Sequence, residues 1–255
     1  MKIAEVLRHA WSRLIRKQWL FLYPLTLAVL DILAFFAVYA ITGGRLTWTG
    51  FFTTDFDRWK YVDDQFFSSF SLTPELAVAV AAGLIACLLT AMIRAPFFRA
   101  IAGSRYPLTP RGWKEVGNLF LMYLFTFLVF RLLPLPLPDE GRLAQLVLVV
   151  CLVIGILIAF ADYVVVYEGL GFFSALRRSV QLCARRWLTV VLIIAVTQLL
   201  WYGVDSLYRV FYEQGARIFV LLPVSRALVE SFIVLFIDLV LIFLYEDIRR
   251  RSPAS

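Results

Sequence analysis

Three side chains that could do chemistry lie where the sequence offers almost no polar surroundings. Asp31, Gln198 and Asp238 each fall near the middle of an apolar segment of about 20 or more residues, enough to cross roughly 30 Å of hydrocarbon as a helix. Glu230 lies shallower, on the predicted outer side of the membrane, and Asp162 lies shallower on the predicted inner side. Because ionisable groups inside a bilayer are costly, they typically face a bundle interior or a pathway.

No lysine or arginine is expected at mid-depth to neutralise these acids. Arg94 falls at the inner end of its segment, and Arg131, Arg209 and Arg226 fall near outer ends. The carboxyl groups must then be protonated, hydrogen-bonded, hydrated or bound to a cation. One hypothesis is that the three mid-depth side chains form a proton or cation site. The other is that each acid is neutral and hydrogen-bonds a neighbouring helix for packing specificity.

The residue types present give little support for an enzyme. The chain has one histidine, His9, which excludes a Ser-His-Asp triad within the membrane and a two-histidine zinc site. Cys87, Cys151 and Cys183 have neither metal-ligand spacing nor the pattern of a disulfide framework. No phosphate-binding glycine motif occurs, and a hydrolase built on two intramembrane aspartates is a minor alternative. We expect no catalytic residue, metal site or cofactor, and no nucleic-acid partner.

The composition requires a membrane. Hydrophobic residues make up 62% of the 255 positions and include 23 phenylalanines, more apolar surface than a soluble domain of this size can bury. In lipid, segments of this length must be helices, because isolated strands would leave backbone groups unpaired. The sequence therefore predicts an all-α polytopic membrane protein with six transmembrane helices, at about 19–42, 76–101, 117–138, 143–167, 187–208 and 227–245.

Charge sets the orientation of these helices. Of the 25 lysines and arginines, 17 fall in alternate gaps between the segments or at the chain ends, which the positive-inside rule places in the cytoplasm. The chain is therefore predicted to be a multi-pass protein of the cell membrane with cytoplasmic termini. Its predicted parts are a cytoplasmic amphipathic helix at 1–18, a membrane domain at 19–247 and a basic cytoplasmic tail at 248–255. Within the membrane domain we expect an aromatic-rich outer loop at 43–75 and cytoplasmic loops at 102–116 and 168–186.

Two basic amphipathic stretches precede predicted spans. In the first, Ile3, Val6, Leu7, Ala10 and Leu14 recur at helical spacing, which is typical of a helix lying on a membrane surface. Such helices could bind anionic lipid, a protein partner or a second copy of the chain, or they could act only as topological anchors. The predicted contact residues are the basic ones of both stretches: Arg8, Arg13, Arg16, Lys17, Arg177, Arg178, Arg185 and Arg186.

A family resemblance is carried by the second stretch. Residues 167–182 read Tyr-Glu-Gly-Leu-Gly-Phe-Phe-Ser-Ala-Leu-Arg-Arg-Ser-Val-Gln-Leu, and Arg185-Arg186-Trp187 follows. This run resembles the hallmark of the multi-span family named for the membrane domain of glycerophosphoryl diester phosphodiesterase. The stretch from Arg8-His9-Ala10-Trp11 to Trp19-Leu20 is similar to the openings of many such bacterial proteins.

The resemblance implies a turn at Glu168 and Gly169 that ends a span, followed by an interfacial helix that carries Ser179. Family members that hydrolyse glycerophosphodiesters have their active site in a separate soluble domain, so the resemblance implies a free-standing membrane domain here. From the residues alone, Glu168 could cap the following helix or pair with Arg177 or Arg178. The function predicted is a non-enzymatic scaffold or accessory subunit, and the alternative is a small transporter that uses mid-membrane carboxylates.

Overall fold

The computed structural model describes residues 3–41, 74–102, 110–133, 142–213 and 222–250, and these ranges contain helices and no strand. The predicted outer loop at 43–75 lies outside the described residues except for its last two positions. The all-α prediction is confirmed for the residues described. Both stretches predicted to be amphipathic helices are helical, including most of the 168–186 segment that we assigned as a cytoplasmic loop.

The described α-helices include two, α5 and α6, that are separated by only three residues, 158–160. The bounds of the described α-helices are α1 Ile3–Arg16, α2 Leu22–Ile41, α3 Pro74–Ala102, α4 Pro110–Phe127, α5 Arg142–Leu157, α6 Ala161–Glu168, α7 Phe172–Arg185, α8 Trp187–Glu213 and α9 Leu222–Arg250. A 3-10 turn, Gln18–Phe21, joins α1 to α2, and a π-helical turn, Leu128–Leu132, extends α4.

Within the described residues, five helical stretches are long and apolar enough to cross a membrane. They are Val80–Ile101, Gly112–Phe130, Gln145–Glu168, Trp187–Tyr208 and Ser225–Arg250. A shorter apolar stretch, Gln18–Leu30, falls in the first predicted span. The chain is thus a multi-pass membrane protein in contact with the lipid bilayer. The stretch in α4 begins earlier than predicted, because the helix continues through residues 110–116, which we had assigned to a loop.

Several helix ends meet at one end of the bundle. The Lys17 ammonium, just after α1, donates to the carbonyl of Ala100 in the last turn of α3 at 3.2 Å. Glu168, at the end of α6, pairs with Arg178 of α7 at 3.4 Å and with Arg249 of α9 at 3.7 Å. We call this the basal end, formed by α1, α7, Glu168 and the last turns of α3 and α9. It collects the segments that the charge pattern places on one side of the membrane.

The packed core lies toward the basal end. On α3, α5 and α9, exposed large apolar side chains extend only as far as Met92, Val153 and Phe232. Beyond these positions, the described large apolar side chains of the three helices are buried or half-buried. The upper parts of these helices therefore present apolar surface to lipid, whereas the basal parts are enclosed by protein.

Two amphipathic helices provide this enclosure. Val6, Ala10 and Leu14 of α1 are buried where the helix lies along α9, and Ala175 and Leu182 of α7 are buried where it covers α6. The apolar side that we predicted for α1 is narrower than expected, because the side chain of Leu7 is exposed. Burial of these two apolar faces supplies a protein-lined interior in which charged groups can be held.

Candidate functional site

A largely enclosed network of ion pairs and hydrogen bonds joins four helices inside the membrane-spanning region. The guanidinium of Arg94 on α3 lies between two carboxylates, with its Nη2 3.3 Å from Oδ2 of Asp238 on α9 and its Nη1 3.7 Å from Oδ2 of Asp162 on α6. Tyr123 of α4 donates to Asp162 at 2.9 Å, and Tyr163 of α6 donates to Asp238 at 3.0 Å. We call Arg94, Asp162 and Asp238 the intramembrane charge cluster.

Our expectation that no basic residue neutralises the acids was wrong. Arg94 lies seven residues before the end of the stretch that finishes at Ile101, which places its backbone about 10 Å inside that end. Because α1 and α7 enclose the basal part of the bundle, a side chain at this level faces protein and not lipid. Arg94 also lies over the ring of Phe98, with its guanidinium carbon 5.5 Å from the ring centroid, a cation–π geometry.

The charge cluster is closed more tightly on one side than on the other. The side chain of Asp238 is 6% exposed, whereas those of Arg94 and Asp162 are 20% and 21% exposed. The Oδ2 atom of Asp238 is buried without hydrogen-bond geometry to any described group, although it lies in the ion pair. Two carboxylates facing one guanidinium leave a net charge of −1 when both are ionised, which a proton or a cation would balance.

The structure separates Gln198 and Glu230 from this cluster. The side chain of Gln198 is exposed on α8, and the side chain of Asp31 lies outside the described part of the chain. Glu230 precedes Asp238 by eight residues on α9, about 12 Å along the helix. It pairs with Arg226 at 2.7 Å. Of the five intramembrane candidates, only Asp162 and Asp238 are seen to converge.

A hydroxyl bridges the interruption between α5 and α6. Ser179 of α7, which is fully buried, donates to the carbonyl of Leu157 at 2.8 Å and accepts from the amide of Phe160 at 3.2 Å. Helix ends buried without such partners leave costly unpaired backbone groups. The break is followed directly by α6, which carries Asp162 and Tyr163. Ser179 therefore positions two members of the ion-pair network from a distance.

The thiol of Cys183, one turn after Ser179, supports the same break. Its sulfur lies 3.2 Å from the carbonyl of Ile156. Burial raises the pKa of this thiol to about 11, and a hydrogen bond with Ser179 opposes the rise only in part. The raised pKa favours the protonated thiol, which can donate to the Ile156 carbonyl.

The Glu-Gly turn has a structural role at the end of α6. Gly169 adopts a left-handed conformation with φ of 68°, the helix-ending geometry that glycine accepts without strain. Glu168 accepts from the hydroxyl of Tyr245 at 2.9 Å in addition to its two arginine partners. It does not cap α7: the amide of Phe172, in the first turn of α7, donates to the side chain of Asn118 of α4 at 3.1 Å.

An aromatic layer lies between the charge cluster and Glu168. Tyr245 of α9 is fully buried, and its ring centroid lies 5.8 Å from that of Tyr167 and 6.2 Å from that of Tyr163. The ring of Phe98 packs edge-on against Tyr163 at 5.1 Å. These rings separate the charge cluster from the charged groups of the basal end.

The predicted lipid-contact arginines divide into paired and exposed groups. Arg178 pairs with Glu168 and Arg186 lies 3.5 Å from Asp247, so both stabilise the fold. Four others are exposed beside large exposed aromatic side chains. We call this set the basal collar, and its members are Arg8, Arg16, Arg177 and Arg185, with Trp19, Phe173 and Trp187, all on or next to α1 and α7.

Sequence reasoning missed Arg94, Tyr123, Tyr163 and the bridging role of Ser179. A signal for Arg94 was present, because an arginine seven residues inside a predicted span needs a counter-charge, and Asp162 and Asp238 were the available acids. The break at 158–160 has no proline or glycine within it, so no local signal marks it. Its partner, Ser179, is recognisable only once α7 is known to cover α6.

No protein-family model, no curated protein and no solved structure matches this chain. The resemblance of residues 167–187 to the membrane domain of glycerophosphoryl diester phosphodiesterase therefore stays a prediction. Two features of the described residues bear on function, the intramembrane charge cluster and the basal collar.

Proposed function

We propose that this chain is a six-span protein of the cell membrane with cytoplasmic termini, and that it acts without catalysis as a scaffold or accessory subunit. Its basal collar engages the headgroups of anionic lipids. In this proposal the chain is a relative of the membrane domain of glycerophosphoryl diester phosphodiesterase. The intramembrane charge cluster holds the bundle together beneath the collar.

The observation that carries the proposal is that an exposed tryptophan follows shortly after each of the two arginine-bearing helices, α1 and α7. Trp19 and Trp187 are 51% and 61% exposed. Tryptophan concentrates at the headgroup level of membranes, and arginine beside it binds lipid phosphates. The sequence left lipid and protein open as partners, and these tryptophans favour lipid. Each basic residue near an anionic surface contributes about 1 kcal/mol, so four give a substantial preference.

Replacing the four collar arginines with glutamine is expected to remove most of the bound anionic lipid. The test is native mass spectrometry of the full chain in mild detergent with added phosphatidylglycerol, counting bound lipids for the wild type and for R8Q/R16Q/R177Q/R185Q. With about 1 kcal/mol lost at each position, occupancy of the weak sites should fall roughly fivefold at each arginine.

The matched control is the quadruple lysine variant, R8K/R16K/R177K/R185K, which keeps the charge and replaces each planar guanidinium with an ammonium group. It should bind nearly as many lipids as the wild type, because attraction at a membrane surface depends mainly on charge. Equal lipid counts in the glutamine variant and the wild type would contradict the proposal.

A second candidate function is proton or cation transport through the charge cluster. The observation that favours it is the excess of one carboxylate over the Arg94 guanidinium, together with the partial exposure of Asp162. A site that binds a proton or a cation reversibly needs such uncompensated charge, and intramembrane acids mark proton relays in pumps and transporters.

Transport predicts that vesicles carrying the wild-type chain dissipate an imposed pH gradient, read with a pH-sensitive dye trapped inside. D162N and D238N should reduce the rate to that of protein-free vesicles. E230Q, which alters an acid bound to Arg226 and remote from the cluster, should keep the wild-type rate. If wild-type vesicles hold the gradient as long as protein-free vesicles do, proton transport is excluded and the cluster is structural.

A further inference from the structure

One cation of the basal end lacks an acidic partner among the described residues. The Nε atom of Arg13 is buried and has no hydrogen-bond partner there, and the Arg13 side chain is half-buried, whereas Arg8 and Arg16 are exposed. Arg13 also forms no ion pair with the described residues. A buried unpaired donor costs about 1–3 kcal/mol, and a charged one costs more, so a fold keeps it when something else satisfies it.

A second cation lies one turn further along. Lys17 follows Arg13 by four residues, so the two side chains leave the chain on the same side. The Lys17 ammonium has three donors, of which the Ala100 carbonyl takes one. Burial, together with the positive charge of Arg13, lowers the pKa of Lys17 below its ordinary value. The two cations are therefore close enough to repel each other.

Several described carboxylates of the basal end already form ion pairs with other arginines. At the basal end, the described acids with ion pairs to arginine are Glu115 with Arg99, Glu168 with Arg178 and Arg249, Glu246 with Arg250, and Asp247 with Arg186. Each of these acids pairs with an arginine other than Arg13. Arg13 and Lys17 are therefore two adjacent cations without an acidic partner among the described residues, and an anion from outside the chain would balance their charge.

We propose that Arg13 and Lys17 form a discrete site for one phosphate group. A guanidinium edge and an ammonium give directed donors to phosphate oxygens, and guanidinium pairs with phosphate in a bidentate manner. Trp19, two residues after Lys17, is exposed, and tryptophan concentrates at the headgroup level of membranes, which is where lipid phosphates lie. The packing of α1 on α9 fixes the position of the site.

This inference rests on the proposed function and sharpens it. The exposed collar attracts anionic lipids as a diffuse, salt-sensitive surface, whereas the Arg13–Lys17 site holds one phosphate in a fixed geometry. Salt screens exposed charges far more than partly buried ones. The site should therefore retain its ligand at ionic strengths that strip the collar. The phosphate comes either from a lipid headgroup or from a soluble phosphate.

The test is a titration of the full chain in nonionic detergent at high salt, followed by native mass spectrometry. The probes are phosphatidylglycerol, diacylglycerol, which lacks phosphate, and inorganic phosphate. We expect one phosphatidylglycerol per chain and no saturable binding of diacylglycerol. R13Q should weaken phosphatidylglycerol binding about tenfold or more, the effect of losing one charge-assisted hydrogen bond. R16Q, a matched change on the exposed side of the same helix, should leave this affinity unchanged.

Inorganic phosphate distinguishes the sources. If millimolar phosphate displaces the lipid, the site also accepts soluble phosphate; if it does not, the site requires a phosphate carried on acyl chains. Either result supports a phosphate site. An R13Q affinity equal to that of the wild type overturns the proposal, as does saturable binding of diacylglycerol with the same affinity as phosphatidylglycerol.

Thermal unfolding without lipid tests the alternative that Arg13 only stabilises the fold. Because R13Q removes an unpaired buried donor, its lipid-free Tm should equal or exceed that of the wild type, while the Tm increase caused by phosphatidylglycerol should shrink. A lower lipid-free Tm with an unchanged lipid response also overturns the proposal. If the collar variant loses lipid and R13Q does not, the Arg13–Lys17 site is contradicted and the proposed function is not. If R13Q weakens the single tight site while the collar variant loses no lipid, the proposed function is contradicted and the site is not.

Discussion

Replacing Arg94 with glutamine is expected to destabilise the folded protein by about 3–5 kcal/mol, the effect of leaving buried carboxylates without their counter-charge. The change removes the group that lies 3.3 Å from Asp238 and 3.7 Å from Asp162, and it leaves both acids inside the bundle. The measurement is equilibrium unfolding in mixed micelles, with helicity and tyrosine fluorescence as probes.

A second variant separates electrostatics from packing. Adding D238N to R94Q neutralises the more deeply buried acid, so the double variant should recover about half of the lost stability through coupling between the two sites. R250Q is the matched control, because the side chain of Arg250 is 81% exposed and pairs only with Glu246 in the described structure. It should change stability by less than about 0.5 kcal/mol. A full loss of stability in the double variant would contradict an electrostatic role for Arg94.

Ser179 should be nearly as sensitive, although it is a small side chain on a helix outside the spans. S179A removes the donor to the Leu157 carbonyl and the acceptor for the Phe160 amide, which leaves two buried backbone groups unpaired. At about 1–3 kcal/mol for each group, we expect a loss of about 2–4 kcal/mol, measured by the same unfolding assay.

S174A provides the comparison for this change. Ser174 is exposed on the same helix, so the same substitution there should cost less than about 0.5 kcal/mol. S179A should also increase amide exchange in residues 157–163, because the bridged break is where α5 and α6 would separate. Equal stability of S179A and S174A would show that the hydroxyl does not hold the break.

The helices of this fold could be predicted from sequence because their cause is local. Long apolar runs must be helical in lipid, and the predicted spans near 76–101, 143–167 and 187–208 agree with stretches of the structure to within a few residues. The amphipathic character of residues 3–15 could also be predicted, since Val6, Ala10 and Leu14 recur at helical spacing. In the structure these three side chains are buried.

The charge cluster could be predicted only in part, because its cause is not local. Asp162 and Asp238 were recognisable as costly intramembrane acids, but they are 76 residues apart in sequence and meet only through the packing of α6 and α9. Depth alone placed Gln198 beside Asp238, whereas helix rotation decides whether a residue faces the bundle, and Gln198 faces outward. A single chain carries no direct signal for that rotation.

The basal end shows the same limit for surface charges. The eight predicted contact residues of the two amphipathic stretches could not be distinguished from the sequence, since each lies in a basic run before a span. The structure divides them, because Arg178 and Arg186 meet acids from other helices while Arg177 and Arg185 stay exposed. Which cations are available to a lipid therefore depends on tertiary neighbours.

The most direct test of the central claim is the lipid composition around the protein in its own membrane. The chain would be extracted into native nanodiscs with an amphipathic copolymer, and the co-extracted lipids would be quantified against the bulk membrane for the wild type and R8Q/R16Q/R177Q/R185Q. We predict that anionic lipids are enriched around the wild type and return to the bulk fraction around the variant. Bulk composition around both proteins would contradict the account.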